Sequence, residues 1–85
     1  MVRTVTIRLF AQAREAAGAS EIHRPVPEDG IAVPALLREL ERDFPRLRRV
    51  LTISRFVRNG EYLPGPVGHL SRGDELAIHP PYSGG

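Results

Sequence analysis

The last six residues, Pro80-Pro81-Tyr82-Ser83-Gly84-Gly85, are the ones whose types and order fit a definite chemistry. Successive prolines fix φ and force a stiff, extended exit from whatever precedes them. Two glycines then leave the final positions without side chains. At ~3.3–3.6 Å per residue the segment reaches at most ~20 Å, so it forms an arm tipped by a bare carboxylate. Such a tip fits a channel too narrow for a Cβ, and its backbone can lie close to another surface. The chemistry open to it is acyl activation: the carboxylate is adenylated, and sulfur or an amine attacks the carbonyl carbon. Glycine is the least hindered acyl group for those steps. A terminal glycine pair alone more often marks a frayed end; the strand and the Pro-Pro ahead of it are what favour an arm.

Composition narrows the alternatives. The 85-residue chain has no cysteine, and all twelve basic residues are arginine, against ten acidic ones. Without cysteine there is no disulfide framework, thiolate metal site, cysteine nucleophile or persulfide carrier. Sulfur could then be carried only at the chain end. Without lysine the chain cannot accept an isopeptide bond on a lysine, so in protein conjugation it would mainly be the donor. The net charge of +2 rests on arginines that do not deprotonate. Arg38, Arg42, Arg46, Arg48 and Arg49 form a cluster, but Glu39, Glu41 and Asp43 are interleaved and no aromatic platform accompanies them. A solvated, ion-paired surface is expected there rather than a nucleic-acid site.

His23, His69 and His79 share no metal-ligand spacing, and no Ser-His-Asp set or phosphate-binding loop is visible. Catalytic groups are therefore expected on a partner, with no metal or cofactor bound by this chain. No apolar run approaches the ~20 residues of a membrane span, and the opening residues lack a signal-peptide core. The expectation is a cytoplasmic protein without a membrane partner.

The elements that must hold the arm follow from periodicity. Val5, Ile7 and Leu9 alternate with Thr4, Thr6 and Arg8, the period of a half-buried strand ending near Phe10. Residues 11–17 are strong helix formers, and Gly18 stands where a C-terminal cap belongs. Residues 21–26 read as a second strand that Pro25 confines to an edge. Pro27-Glu28-Asp29-Gly30 is a turn. Val33, Leu36, Leu37, Leu40 and Phe44 make one helical stripe, with Pro34 in its first turn and Pro45 ending it. Residues 51–58 read as a third strand through Leu51, Ile53, Phe56 and Val57. Asn59-Gly60 then signals a hairpin with Glu61-Tyr62-Leu63 as the return. Residues 64–68 read as an irregular loop and Ser71-Arg72-Gly73-Asp74 as a turn. Residues 75–79 form a last strand with Leu76 and Ile78 on one face. Phe10, Phe56 and Tyr62 are candidates for the core or the sheet, with one exposed aromatic able to anchor a partner. Arg8, Arg55 and Arg58 lie on strands and could frame a partner-binding face. The class is α+β: one domain over residues 1–79, with a mixed four- or five-stranded sheet on one main helix, and an arm over residues 80–85.

Three stretches carry a family resemblance. Residues 9–18, Leu-Phe-Ala-Gln-Ala-Arg-Glu-Ala-Ala-Gly, resemble the opening of the small subunits of molybdopterin synthase. Asn59-Gly60-Glu61-Tyr62 resembles their hairpin. Residues 73–85, from Gly73-Asp74-Glu75 through Pro80-Pro81 to Gly84-Gly85, resemble their closing segment, which is the most specific of the three. The resemblance implies the ubiquitin-like β-grasp fold and a sulfur-carrier role. In such proteins an E1-like activating enzyme uses ATP to adenylate the terminal glycine, and a sulfur donor converts it to a thiocarboxylate. The arm then enters the large subunit, where sulfur passes to the pterin precursor, cyclic pyranopterin monophosphate. By position, Gly85 would carry the sulfur, Gly84 would give clearance, and Pro80, Pro81, Tyr82 and Ser83 would form the inserted arm. Two positions depart from the pattern: Arg58 precedes the hairpin, and Tyr82 is bulky for such an arm. Related carriers with the same Gly-Gly end serve thiamine formation, tRNA thiolation, cysteine synthesis or protein conjugation. A β-grasp interaction module with an incidental Gly-Gly end is the remaining alternative.

Overall fold

The computed structural model describes residues 2–81. The elements run β1 (Thr4–Leu9), α1 (Ala11–Ala17), β2 (Glu21–Pro25), β3 (Ile31–Ala32), α2 (Val33–Asp43), α3 (Leu47–Ile53), β4 (Arg55–Arg58), β5 (Glu61–Tyr62), β6 (His69–Leu70) and β7 (Glu75–His79). Five strands form one mixed sheet in the order β2-β1-β7-β4-β5. The first and last strands, β1 and β7, lie side by side and parallel, with Ile7 opposite Leu76 and Leu9 opposite Ile78. The other neighbours are antiparallel. As Pro25 suggests, β2 is an edge.

The strand alternation places its apolar set on one face. Val5, Ile7, Leu9, Phe56, Leu76 and Ile78 are buried there with Val33, Leu36, Leu37 and Leu40 of α2. Each such aliphatic side chain contributes about 1.5–3 kcal/mol on burial. The stripe expected from spacing is therefore the one that packs, except that Phe44 caps α2 and is only half-buried. Gly18 caps α1 in the left-handed region, at φ 72°, its N–H donating to the Arg14 carbonyl. Arg24 of β2 reaches the far end of α2 and pairs with Asp43, which Arg42 also approaches.

Hydrogen bonds from Arg24 and then Arg42 hold the Asp43 carboxyl below its ordinary pKa of 3.8. A depressed carboxylate pKa adds stability above the unfolded value, and the gain disappears as pH falls through the folded one. Asp43→Asn is therefore expected to flatten the loss of thermal stability below about pH 4, followed by circular dichroism. An unchanged acid limb would show that this pair does not tie the edge strand to the helix.

Three features differ from the sequence reading. Residues 51–53 do not begin the third strand; they end α3, and β4 is only Arg55–Arg58. Leu47 and Leu51 stand one helical turn apart and both enter the core, whereas Ile53 is left 52% exposed. Beside the expected short helix α1, the main helix is therefore joined by a second, α3, which the sequence reading did not contain. Finally, β3 and β6 pair as a separate two-stranded ladder, Ile31 opposite Leu70 and Ala32 opposite His69. The hairpin is as expected: Asn59 and Gly60 have φ of 48° and 84°, the signs a type I′ turn requires.

Asn59 does more than turn the chain. Its Oδ1 accepts from the Glu75 N–H at 2.8 Å, and its Nδ2 donates to Asp74 Oδ1 at 3.0 Å. The other Asp74 oxygen accepts from the Ser71 N–H at 2.8 Å. The hairpin side chain thus fixes the start of β7, the strand that leads to the arm. Asn59→Gly keeps the turn but removes both bonds, and is expected to cost about 1–2 kcal/mol. Asn59→Ala adds backbone strain and should cost more. Urea unfolding of both variants separates the two effects; equal losses would mean that the turn conformation is irrelevant. No helix among the described residues is long and apolar enough to cross a membrane.

Candidate functional site: the base of the arm and the sheet face beside it

Strand β7 is central, so its end is held on both sides. Ile78 is fully buried, and its carbonyl accepts from the Phe10 N–H at 3.3 Å. After His79 the chain leaves the sheet: Pro80 is half-buried and Pro81 exposed. Pro80 and Pro81 therefore follow directly on a strand held by both of its neighbours. Of the predicted arm residues, Tyr82, Ser83, Gly84 and Gly85 lie outside the described residues.

Beside this base the outer face of the sheet carries a set of exposed side chains. Leu9 turns inward, so Phe10 faces outward, and the chain turns at Ala11 (φ 48°) into α1. The Phe10 ring stacks on His79 with centroids 4.4 Å apart and planes 10° from parallel. His79 lies opposite Arg55 on β4, Ala77 opposite Val57, and Val57 opposite Tyr62. The Arg55 guanidinium stands over the Tyr62 ring, 6.0 Å from its centroid. Phe10 is 40% exposed and Tyr62 68%. Such a mixture of aromatic and arginine side chains is the composition of protein-docking hot spots.

Of the three aromatics, only Phe56 is core, at 2% exposure. Phe10 and Tyr62 were open to either reading, because alternation alone does not say which face a partner covers. The strand arginines separate in role. Arg8 pairs with Glu75 at 2.8 Å and Glu21 at 3.6 Å, and Arg58 donates to the His69 carbonyl, leaving Arg55 at the outer face. His23 pairs with Glu21, and His69 contacts the Asp29 carbonyl. No grouping of three or more metal-ligating side chains occurs among the described residues. Among the described residues, the end of β7 and Pro80-Pro81 thus stand beside an exposed face of Phe10, His79, Arg55 and Tyr62.

A mixed sheet clasping a helix, with its last strand central and paired in parallel with its first, defines a ubiquitin-like β-grasp protein. The chain belongs to the ThiS family, whose sequence pattern matches residues 7–85. It is 34% identical to a molybdopterin synthase sulfur carrier subunit of Dictyostelium discoideum, over 93% of each chain. A protein of the same name from Chlamydomonas reinhardtii is 37% identical, over 95% of this chain and 98% of that one. Among solved structures, the small archaeal modifier protein SAMP1 of Haloferax volcanii superposes with a TM-score of 0.79 at 32% identity. That match covers 96% of this chain and 99% of SAMP1.

Proposed function

We propose that this protein is a sulfur-carrier subunit of molybdopterin synthase, with residues 1–79 as its docking domain and residues 80–85 as its carrier arm. The observation that carries the reading is the emergence of Pro80-Pro81 from a central, buried strand, in a sequence that continues to Gly84-Gly85. The similarity to named sulfur carrier subunits over nearly the whole chain supports it.

The chemistry proceeds at Gly85. A carboxylate oxygen attacks the α-phosphorus of ATP, pyrophosphate leaves, and an acyl adenylate forms. Hydrosulfide released by a sulfur donor then attacks the carbonyl carbon, AMP leaves, and the product is a thiocarboxylate. An E1-like adenylyltransferase supplies the catalytic groups for these steps; this chain supplies the acyl group and holds no cofactor. In the large synthase subunit the arm delivers sulfur to cyclic pyranopterin monophosphate; water cleaves the acyl–sulfur bond, leaving sulfur on the pterin and restoring the Gly85 carboxylate. Pro80, Pro81, Tyr82 and Ser83 give the arm its reach, and Gly84 its clearance. The setting is the cytoplasm.

The outer face with Phe10, His79, Arg55 and Tyr62 docks the partner while the arm is inserted. Tyr62→Asp is expected to weaken binding of the large subunit about tenfold or more without lowering thermal stability, because the side chain is exposed. Titration of the two subunits by calorimetry checks it; unchanged affinity would remove this face from the interface.

The likeness to SAMP1 favours a second reading, in which the activated glycine is joined to amines of other proteins. Reconstitution separates the two. Incubated with the large subunit and cyclic pyranopterin monophosphate, the thiocarboxylated chain should yield molybdopterin. Formation of lysine conjugates without any molybdopterin would favour the modifier.

A further inference from the structure

The clustered arginines expected to be ion-paired divide in the structure. Arg42 pairs with Asp43, but Arg46, Arg48 and Arg49 have no carboxylate partner among the described residues, and all three are exposed. With Pro45 and Thr52 they line a depression open to solvent at the α2–α3 corner. Thr52 also lines a second groove, of about 240 Å³, whose apolar walls are Pro34 and Leu37 of α2, Leu51 of α3 and Pro66. Leu37 and Leu51 are each 7% exposed, whereas the other core leucines are at 0–1%, so this groove reaches down to the core.

We propose that this helical face is a second docking surface, taking an extended protein segment in which one or two aliphatic side chains are followed by acidic residues. The groove is smaller than the ~300–1,000 Å³ of small-molecule sites, which suits anchoring side chains. The arginines beyond Thr52 offer guanidinium forks that match carboxylates in two-pronged geometry. Nucleic acid fits less well. No aromatic residue lines either hollow, and Glu41 lies in the apolar groove beside Arg38, interrupting the positive field. The helices cover the inner face of the sheet, whereas Phe10, His79 and Tyr62 lie on the outer face. An acidic segment can thus be held while the arm and its docking face are engaged elsewhere, and the inference does not depend on what Gly85 carries.

The test is a titration of the isotope-labelled full chain, followed by nuclear magnetic resonance. The probe is a synthetic peptide of two leucines followed by four glutamates. Two comparisons accompany it: the same peptide with lysines replacing the glutamates, and a single-stranded oligodeoxynucleotide. The acidic peptide should shift the amides of Leu37, Leu51, Thr52 and Arg48, and the lysine peptide should not. Combined Arg46→Glu, Arg48→Glu and Arg49→Glu should weaken binding about tenfold or more while the remaining amide signals stay in place. The proposal is overturned by no shifts, by shifts centred on Phe10 and Tyr62, or by binding that survives the charge reversal. Tighter binding of the oligonucleotide at the same residues would overturn it in favour of nucleic acid.

Discussion

Removing Gly84 and Gly85 should abolish sulfur transfer while leaving the folded domain intact. The core is built from residues 5–78, so the deletion takes no side chain from it. It moves the chain end back by two residues, about 7 Å of extended backbone, and replaces an unhindered glycyl carboxylate with that of Ser83. Reactions that depend on placing a carboxylate oxygen against an activated phosphorus lose about a hundredfold on a displacement of only about 1 Å. The expected result is a loss of at least about a thousandfold in molybdopterin formed per unit time, with an unchanged melting temperature. Retained transfer would show that Gly85 is not the carrier atom's host. Loss of folding together with activity would make the result structural.

The second large effect lies far from the arm. Gly30 is buried with φ 84°, and a Cβ there would fall inside contact distance of the Leu70 carbonyl oxygen and near His69 Nε2. Those are the residues with which β3 pairs. Gly30→Ala therefore combines left-handed strain with a backbone collision and should cost about 3 kcal/mol or more. A domain of this length has only about 4–13 kcal/mol in hand. Gly18→Ala is the comparison: it shares the positive φ, at 72°, but nothing lies within 4 Å of its Cβ. It should cost only about 1 kcal/mol. Equal losses in urea unfolding would mean that the close approach of Gly30 to Leu70 has no energetic weight.

This pair of glycines also shows what the sequence makes legible. Gly18 follows a run of helix formers, so its role as a cap can be read locally. Gly30 reads as a turn residue, and it is one: its N–H donates to the Pro27 carbonyl at 2.8 Å. Its stricter requirement comes from Leu70, distant in sequence, which no local pattern reveals. The same reason hides β3 and β6. Strands of two residues carry no period, and their partners are set by tertiary contact. β1, α2 and β7 are long enough for their apolar spacing to decide their class and their buried face. α3 is lost because Leu51 and Ile53 read as strand alternation, while Leu47 and Leu51 satisfy a helix turn equally well. Core packing decides between the periods by burying Leu47 and Leu51 and leaving Ile53 outside.

For the candidate site, the proposed arm rests on the sequence, because proline and glycine act through backbone geometry that needs no fold to interpret, and residues 82–85 lie outside the described ones. The face proposed for docking was legible only in outline. That Arg55 would stand over Tyr62, and Phe10 against His79, depends on the order of β1, β7, β4 and β5 in the sheet. The positive cluster was legible as a cluster. Its separation into a paired Arg42 and unpaired Arg46, Arg48 and Arg49 required α3 to be placed.

The most direct test of the carrier account is the intact mass of the chain after incubation with ATP, its activating enzyme and a sulfur source. The account predicts an increase corresponding to one exchange of oxygen for sulfur, located by fragmentation on Gly85 and dependent on ATP. An unchanged mass with competent partners, or an increment that persists in the chain lacking Gly84 and Gly85, would contradict it.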